Sequence, residues 1–254
     1  MLSHQAPPTD CVYIYDGSLA GFYCCVFESV YANELPLAIE TADGIPRLFS
    51  SKQITSDPAK AARVKQSLAS KITVRAEELI ETVFLSCLPE KELALLRFLL
   101  FGYEQGRKAI NMLGHPLVAP LLAAEKHLLK EAHLWKGFVR FADYNGRLVA
   151  KINPKNFVLP FMAAHFCQRY PEEDFLIFDT THQAALIYEN RQRQLIRLEN
   201  LQLPQIEETE QQYQELWKRF YDTIAIEART NPRCRMTNMP KRYWKYMPEM
   251  QDQF

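Results

Sequence analysis

The sequence predicts an α+β fold, a small antiparallel sheet of hairpins packed with a larger set of helices. Three observations lead there. Short β-rich runs separated by turn residues cluster between Gly137 and Leu198. Long runs with apolar residues at spacings of three and four lie on either side of that cluster. Within it, Asn145-Gly146 tolerates positive φ at both positions and marks a two-residue hairpin turn. A chain of 254 residues suits one domain over 1–254. Its parts would be a helical subdomain 57–135, a sheet-plus-helix subdomain 137–200, and a closing helix with a basic tail over 205–247.

Taken in order, Cys11 to Tyr15 alternates like a short strand, and Asp16-Gly17-Ser18 turns the chain into a helix from about Ala20 to Tyr31. Pro36, Gly44 and Pro46 punctuate an irregular stretch with a short strand near Leu37 to Glu40. Asp57-Pro58 is a cap followed by a first-turn proline, and it opens a helical region reaching about Ala109. Pro89 restarts it ahead of Leu93 to Tyr103, which is apolar almost all round and so belongs inside the fold. After Pro116 a further helix aligns Val118, Leu121, Leu128, Ala132 and Trp135 on one stripe. Phe138 to Ala142 and Leu148 to Ile152 form the hairpin, followed by a helix from Phe157 to Arg169. Strands at Asp174 to Phe178, Ala184 to Tyr188 and Gln194 to Leu198 complete the sheet, which the first strand is expected to join. A last helix from about Glu207 to Ala228 carries Tyr213, Leu216, Trp217, Phe220 and Ile224 on one face.

Composition narrows the class. Hydrophobic residues at 48% and charged residues at 24% are globular values. The N-terminus lacks a basic region followed by an apolar run, and no stretch reaches bilayer-spanning length, so a cytoplasmic protein without membrane contact is expected. The six cysteines form no C-x-x-C pair, which signals neither a metal site nor an iron-sulfur cofactor. No P-loop, G-x-G-x-x-G, G-x-S-x-G or kinase signature is present. No cofactor is expected, and a non-enzymatic role is favoured.

Charge is sorted along the chain. Lys and Arg total 30, as do Asp and Glu. Six of the basic residues, Arg229, Arg233, Arg235, Lys241, Arg242 and Lys245, fall between Arg229 and Met247, a stretch with no acid. With those six taken from 30, the remainder holds 24 basic against 30 acidic residues. Such a segment suits a phosphate-rich partner, since Lys and Arg displace condensed counterions. It equally suits an anchored terminus with a solvated basic face. If Pro240 starts a short helix, Tyr243 and Trp244 share one side and Lys241, Arg242 and Lys245 the other, so that the aromatics anchor the tail.

Other candidates are fewer. The two-residue turn sets Arg140 across from Lys151, and like charges so placed call for an anion, either a carboxylate from a packed helix or a bound phosphate. Asp16 lies at a strand end beside a helix N-terminus, where it is a cap or a ligand-binding acid. His133 and His165 are acid-base candidates, with a hydrogen-bonded core histidine the plainer reading of His165.

Four segments carry a family likeness. They are Tyr15-Asp-Gly-Ser-Leu-Ala-Gly-Phe22, Glu131-Ala-His-Leu-Trp-Lys-Gly-Phe-Val-Arg-Phe141, Ile152-Asn-Pro with Leu159-Pro and Ala164-His-Phe166, and Phe220 to Trp244. The last contains Thr223-Ile-Ala-Ile-Glu-Ala-Arg-Thr-Asn-Pro232 and Met239-Pro-Lys-Arg-Tyr-Trp244 and is the most specific. The chain resembles the bacterial "probable DNA metabolism protein" family, a domain of unknown function. That resemblance implies a partner role, because members are encoded beside a DNA-modification and repair radical SAM protein. A related domain is fused to a uracil-DNA glycosylase type domain, which implies a second partner. The chain lacks the C-x-x-x-C-x-x-C cluster of a radical SAM enzyme, so that chemistry would come from outside it. It also departs from the family pattern at Leu134 and at Thr180-Thr181-His182, where basic residues are the family's tendency.

The resulting expectation is a DNA repair or modification accessory protein that binds DNA through its basic tail, with Arg140 and Lys151 as a second anion site. Two other classes remain open. One is an enzyme acting on a nucleobase or nucleotide through Asp16, His133 or His165. The other is an adaptor whose tail docks on an acidic protein surface.

Overall fold

The structure is a computed structural model that describes residues 9–42, 49–224, 226 and 231–253. The chain divides into two compact units, Met1–Leu128 and Leu129–Phe254.

The first unit opens with β1 (Cys11–Tyr15), α1 (Leu19–Ala32), β2 (Ala38–Thr41) and β3 (Ser50–Gln53). Their order is β2-β1-β3, and both neighbours run parallel to β1. This corrects the expectation that β1 joins the C-terminal sheet. A helical crossover returns the chain to the same end of a sheet, so the strand after α1 aligns parallel beside β1. Ser50-Ser-Lys-Gln53 has no β-branched or aromatic residue, so β3 forms through its pairing with β1 and not through propensity. Ser18 caps α1 by accepting from Gly21 N at 2.9 Å, and Asn33 ends it at φ 53°.

Helices α2 (Pro58–Lys71), α3 (Val74–Phe84) and α4 (Lys91–Gln105) follow. Asp57 caps α2 as anticipated, its carboxylate accepting from Ala59 N at 2.7 Å. Thr73 caps α3 through Ala76 N at 3.1 Å and divides what the sequence presents as one helical run. Leu95, Phe98 and Leu99 of α4 are fully buried beside Phe22, Leu68, Leu79 and Ile80, as the all-round apolar pattern requires.

Helix α5 (Ala119–Phe138) contains the boundary between the units. Each member of its predicted stripe, from Val118 to Trp135, is buried. The helix runs through Phe138, so the strand expected over Phe138 to Ala142 shrinks to β4 (Ala142–Asp143). Five strands make the second unit's sheet in the order β4-β5-β6-β7-β8: β5 (Leu148–Ile152), β6 (Phe175–Asp179), β7 (Ala184–Glu189) and β8 (Gln192–Arg197) complete it. Three pairings are antiparallel, but β5 and β6 are parallel because α6 (Leu159–Arg169) crosses between them. The sheet is therefore mixed within an α+β fold, which corrects the all-antiparallel expectation. After it come α7 (Glu208–Ile224), α8 (Pro232–Asn238) and two 3-10 turns, Lys241–Tyr246 and Pro248–Gln253. The core here joins Trp135, Met162, Phe166, Ile177 and Leu186 to Tyr243, Trp244, Met247 and Met250 from the tail. Among the described residues no helix is long and apolar enough to cross a membrane.

Candidate nucleic-acid interface

Pro240, at φ −58°, leads into the 3-10 turn that splits the tail into two faces. Tyr243 and Trp244 point inward, at 0% and 2% exposure. The Tyr243 ring meets Trp135 edge-on at 4.7 Å and Phe138 at 5.0 Å. Trp244 Nε1 donates to Met239 O at 3.0 Å, which satisfies the indole inside the core. Lys241 and Lys245 are exposed, their ammonium groups 5.8 Å and 5.1 Å from the ring centres of Trp244 and Tyr246.

Arg242 behaves differently from the two lysines. Its Nη1 lies 3.1 Å from Oε1 of Glu131, a carboxylate 1% exposed on α5. Its Nη2 donates to the Tyr243 hydroxyl at 2.6 Å, and burial pushes that phenol's pKa up while the guanidinium opposes the rise. Glu131 also accepts from Lys155 N at 3.0 Å, Asn156 N at 2.9 Å and Asn156 Nδ2 at 2.5 Å. A buried charge needs this degree of pairing. One carboxylate thereby ties together α5, the loop after β5 and the tail.

The remaining basic candidates sort by what meets their charge. Arg233 is exposed on α8, whose cap Asn231 accepts from Cys234 N at 2.9 Å. The Arg235 guanidinium lies 5.3 Å from the Trp244 ring centre. Arg229 lies outside the described residues. The hairpin has the register that a two-residue turn dictates, Ala142 opposite Val149 and Asp143 opposite Leu148. Arg140 precedes the strand, and of the two anions left open the protein supplies a carboxylate. Glu249 Oε1 accepts from Arg140 Nε at 3.0 Å and from Nη2 at 2.7 Å. Nη1 donates to the carbonyls of Gly137 and Val139, both at 3.1 Å. Lys151 is half-buried on β5, opposite Phe178, and pairs with no carboxylate among the described residues.

Asp16 is held in its own turn. One carboxylate oxygen accepts from Ser18 N at 2.9 Å and Ser18 Oγ at 2.7 Å, the other from Ser56 Oγ at 2.6 Å, and these hydrogen bonds hold its pKa below the usual range. His133 is exposed on α5. His165 is half-buried on α6 against Phe166 at 5.0 Å, and burial first, then Lys136 and Arg169, lower its pKa. No hydrogen bond joins the two histidines among the described residues.

Sequence reasoning passed over Glu131, Asn156 and Asp179, and it met His182 only as a departure from the family pattern, without the carboxylate beside it. A signal for Glu131 existed: it shares a face with Leu128 and Trp135 at spacings of three and four, an acid on a buried stripe. Asp179, fully buried at the end of β6, accepts from Thr181 N at 2.9 Å and His182 N at 3.1 Å, with His182 Nδ1 at 2.7 Å from its second oxygen.

A family model for a domain of unknown function, DUF4130, matches residues 89–249, well over half of the chain. The chain belongs to this family. The matched span begins just ahead of α4 and ends on Glu249, so it contains Glu131, Asn156, Asp179, Arg242 and the Arg140–Glu249 pair. It excludes the three-stranded sheet and Asp16. No curated protein and no solved structure matches the chain.

Proposed function

We propose that this protein is an accessory subunit of a DNA repair or modification system and contacts nucleic acid through the outer face of its tail. The observation that carries the reading is the two-faced 3-10 turn, with Tyr243 and Trp244 buried and Lys241 and Lys245 outward, after the exposed Arg233 of α8. The backbone that carries these cations is fixed from beneath, so meeting phosphate orders only their side chains, and it releases counterions. The Arg242 charge is balanced by Glu131, so that side chain holds the surface and contributes little to the contact. The resemblance noted above supports a radical SAM protein as the partner that performs the chemistry, and a uracil-DNA glycosylase type protein as a second partner.

The test is a salt series of binding to short single- and double-stranded DNA. The triple variant Arg233→Ala, Lys241→Ala, Lys245→Ala is expected to bind more weakly and to lower the slope of log affinity against log salt by about two to three. Undetectable binding at low salt, or an unchanged slope in the variant, refutes the proposal. Co-purification with a radical SAM protein tests the partner assignment separately.

A further inference from the structure

Beside the tail, within the same unit, a cleft of about 540 Å³ opens between α7, the residues that follow α5, and the end of α6. Its volume lies within the range of small-molecule sites. Tyr213 and Trp217 line one wall from α7, four residues apart and so on one helical face. Phe141 and Tyr170 line another, their rings edge to face at 5.3 Å. Trp217 is 41% exposed, and the Arg140 guanidinium, neutralised by Glu249, lies 5.7 Å from its ring centre.

The polar groups of the cleft are of two kinds. Arg169 is exposed, lies 5.7 Å from the Tyr170 ring centre, and pairs with no carboxylate among the described residues. Glu210 accepts from Asp143 N at 3.2 Å and Gln214 Nε2 at 2.8 Å, and a carboxylate retains acceptor capacity after two such bonds. Aromatic walls, one unpaired cation and a carboxylate acceptor suit a flat π-system with an anionic group at one side and N–H donors on its edge. A ligand without an anionic group and an N–H donor would leave both Arg169 and Glu210 without use.

We infer that this cleft binds a nucleotide, with the base against the Trp217 and Tyr213 wall, its amino edge toward Glu210 and its phosphate toward Arg169. The inference rests on the nucleic-acid reading only for the source of that nucleotide, a single strand held by the tail. Every base has a π-face, so stacking alone does not choose among bases, and the Glu210 contact favours those that carry an amino group.

Trp217 makes the test direct, because Trp135 and Trp244, the other two tryptophans, are almost fully buried. Fluorescence is followed while adding a short single-stranded oligonucleotide, the same backbone without bases, and deoxynucleoside monophosphates. The base-bearing strand is expected to quench Trp217 and the abasic strand is not. Trp217→Ala and Arg169→Glu are each expected to weaken the base-bearing strand roughly tenfold, whereas Trp217→Phe keeps affinity measured by polarisation and loses the fluorescence change. The Arg233, Lys241, Lys245 triple variant should weaken the strand and leave monophosphate quenching intact. Monophosphates that bind as tightly as the strand support the cleft with free nucleotide as its ligand. If quenching persists while the triple variant binds the strand as wild type does, the tail proposal fails and the cleft stands. If no ligand quenches Trp217, or if Trp217→Ala and Arg169→Glu bind the strand unchanged, the cleft assignment is overturned whatever the tail does.

Discussion

Tyr243 and Trp244 in the tail are almost wholly buried, whereas Tyr213 and Phe220 on α7 are 69% and 53% exposed, although both segments set aromatic residues on one face and charges on another. The difference lies in what each segment meets. The tail lands on Trp135 and Phe138 and is tied by Arg242 to a buried carboxylate with three further donors. No residue of α7 is buried, and its polar attachments include the Glu210 carboxylate accepting from Asp143 N. An amphipathic pattern creates a face. A matching surface and a satisfied polar anchor decide whether that face is used for stability or left for a ligand.

The sharpest way to break this contrast is to truncate one aromatic from each segment. Tyr243→Ala leaves a cavity beside Trp135 and should cost about 3–5 kcal/mol in urea unfolding. Trp217→Ala should cost less, about 1–2 kcal/mol, since the side chain is 41% exposed and loses its cation–π contact with Arg140 and its ring contact with Phe220. Equal losses at the two positions would show that α7 is packed in solution as firmly as the tail.

Arg242→Ala comes next. It leaves Glu131 buried with its backbone and Asn156 donors but without the guanidinium, and about 1–3 kcal/mol should be lost. Adding Glu131→Gln should recover little of that loss, because the amide turns an NH2 donor toward Lys155 N or toward Asn156 N and Nδ2, donors from which the carboxylate accepts. Lys241→Ala and Lys245→Ala should stay within about 0.5 kcal/mol of wild type. A loss at Lys245 matching that at Arg242 would contradict the separation of the tail into a holding residue and two outward ones.

Phe220→Ser probes the exposed face of α7 directly. The side chain is half exposed and its ring lies 5.8 Å from Trp217, so replacement should change stability by less than about 1 kcal/mol. A larger loss that depends on protein concentration, followed by unfolding at several concentrations, would mean that a second copy covers the face.

Much of this arrangement was legible beforehand, and the gaps have physical causes. The stripe from Val118 to Trp135, the Asn145-Gly146 register and the inward aromatics of the tail all follow from local periodicity or turn chemistry, which are properties of neighbouring residues. The parallel β5–β6 pair depends on where α6 returns the chain, and β3 depends on β1, so both are set at a distance. The partners of Arg140 and Arg242 lie 109 and 111 positions away, at Glu249 and Glu131, and charge counting along the chain cannot pair them. The unit boundary falls inside α5, where no linker composition marks it.

The smallest expected effect is a pH dependence that reports on Arg169 at the α7 cleft. Burial, then Lys136 and Arg169, hold the His165 pKa below its ordinary 6.5. As pH falls below 6.5 the unfolded chain takes up a proton that native His165 refuses, so stability declines until pH reaches the depressed native pKa and then levels. His165→Gln should remove that part of the slope. An anion seated on Arg169 cancels part of the repulsion felt by the imidazole, so a saturating deoxynucleoside monophosphate should raise the His165 midpoint in an NMR titration, and Arg169→Gln should raise it without ligand. A midpoint raised by Arg169→Gln but unmoved by the monophosphate would place the bound phosphate away from Arg169, and the exposed face of α7 would then need a different occupant from the one its aromatic wall suggests.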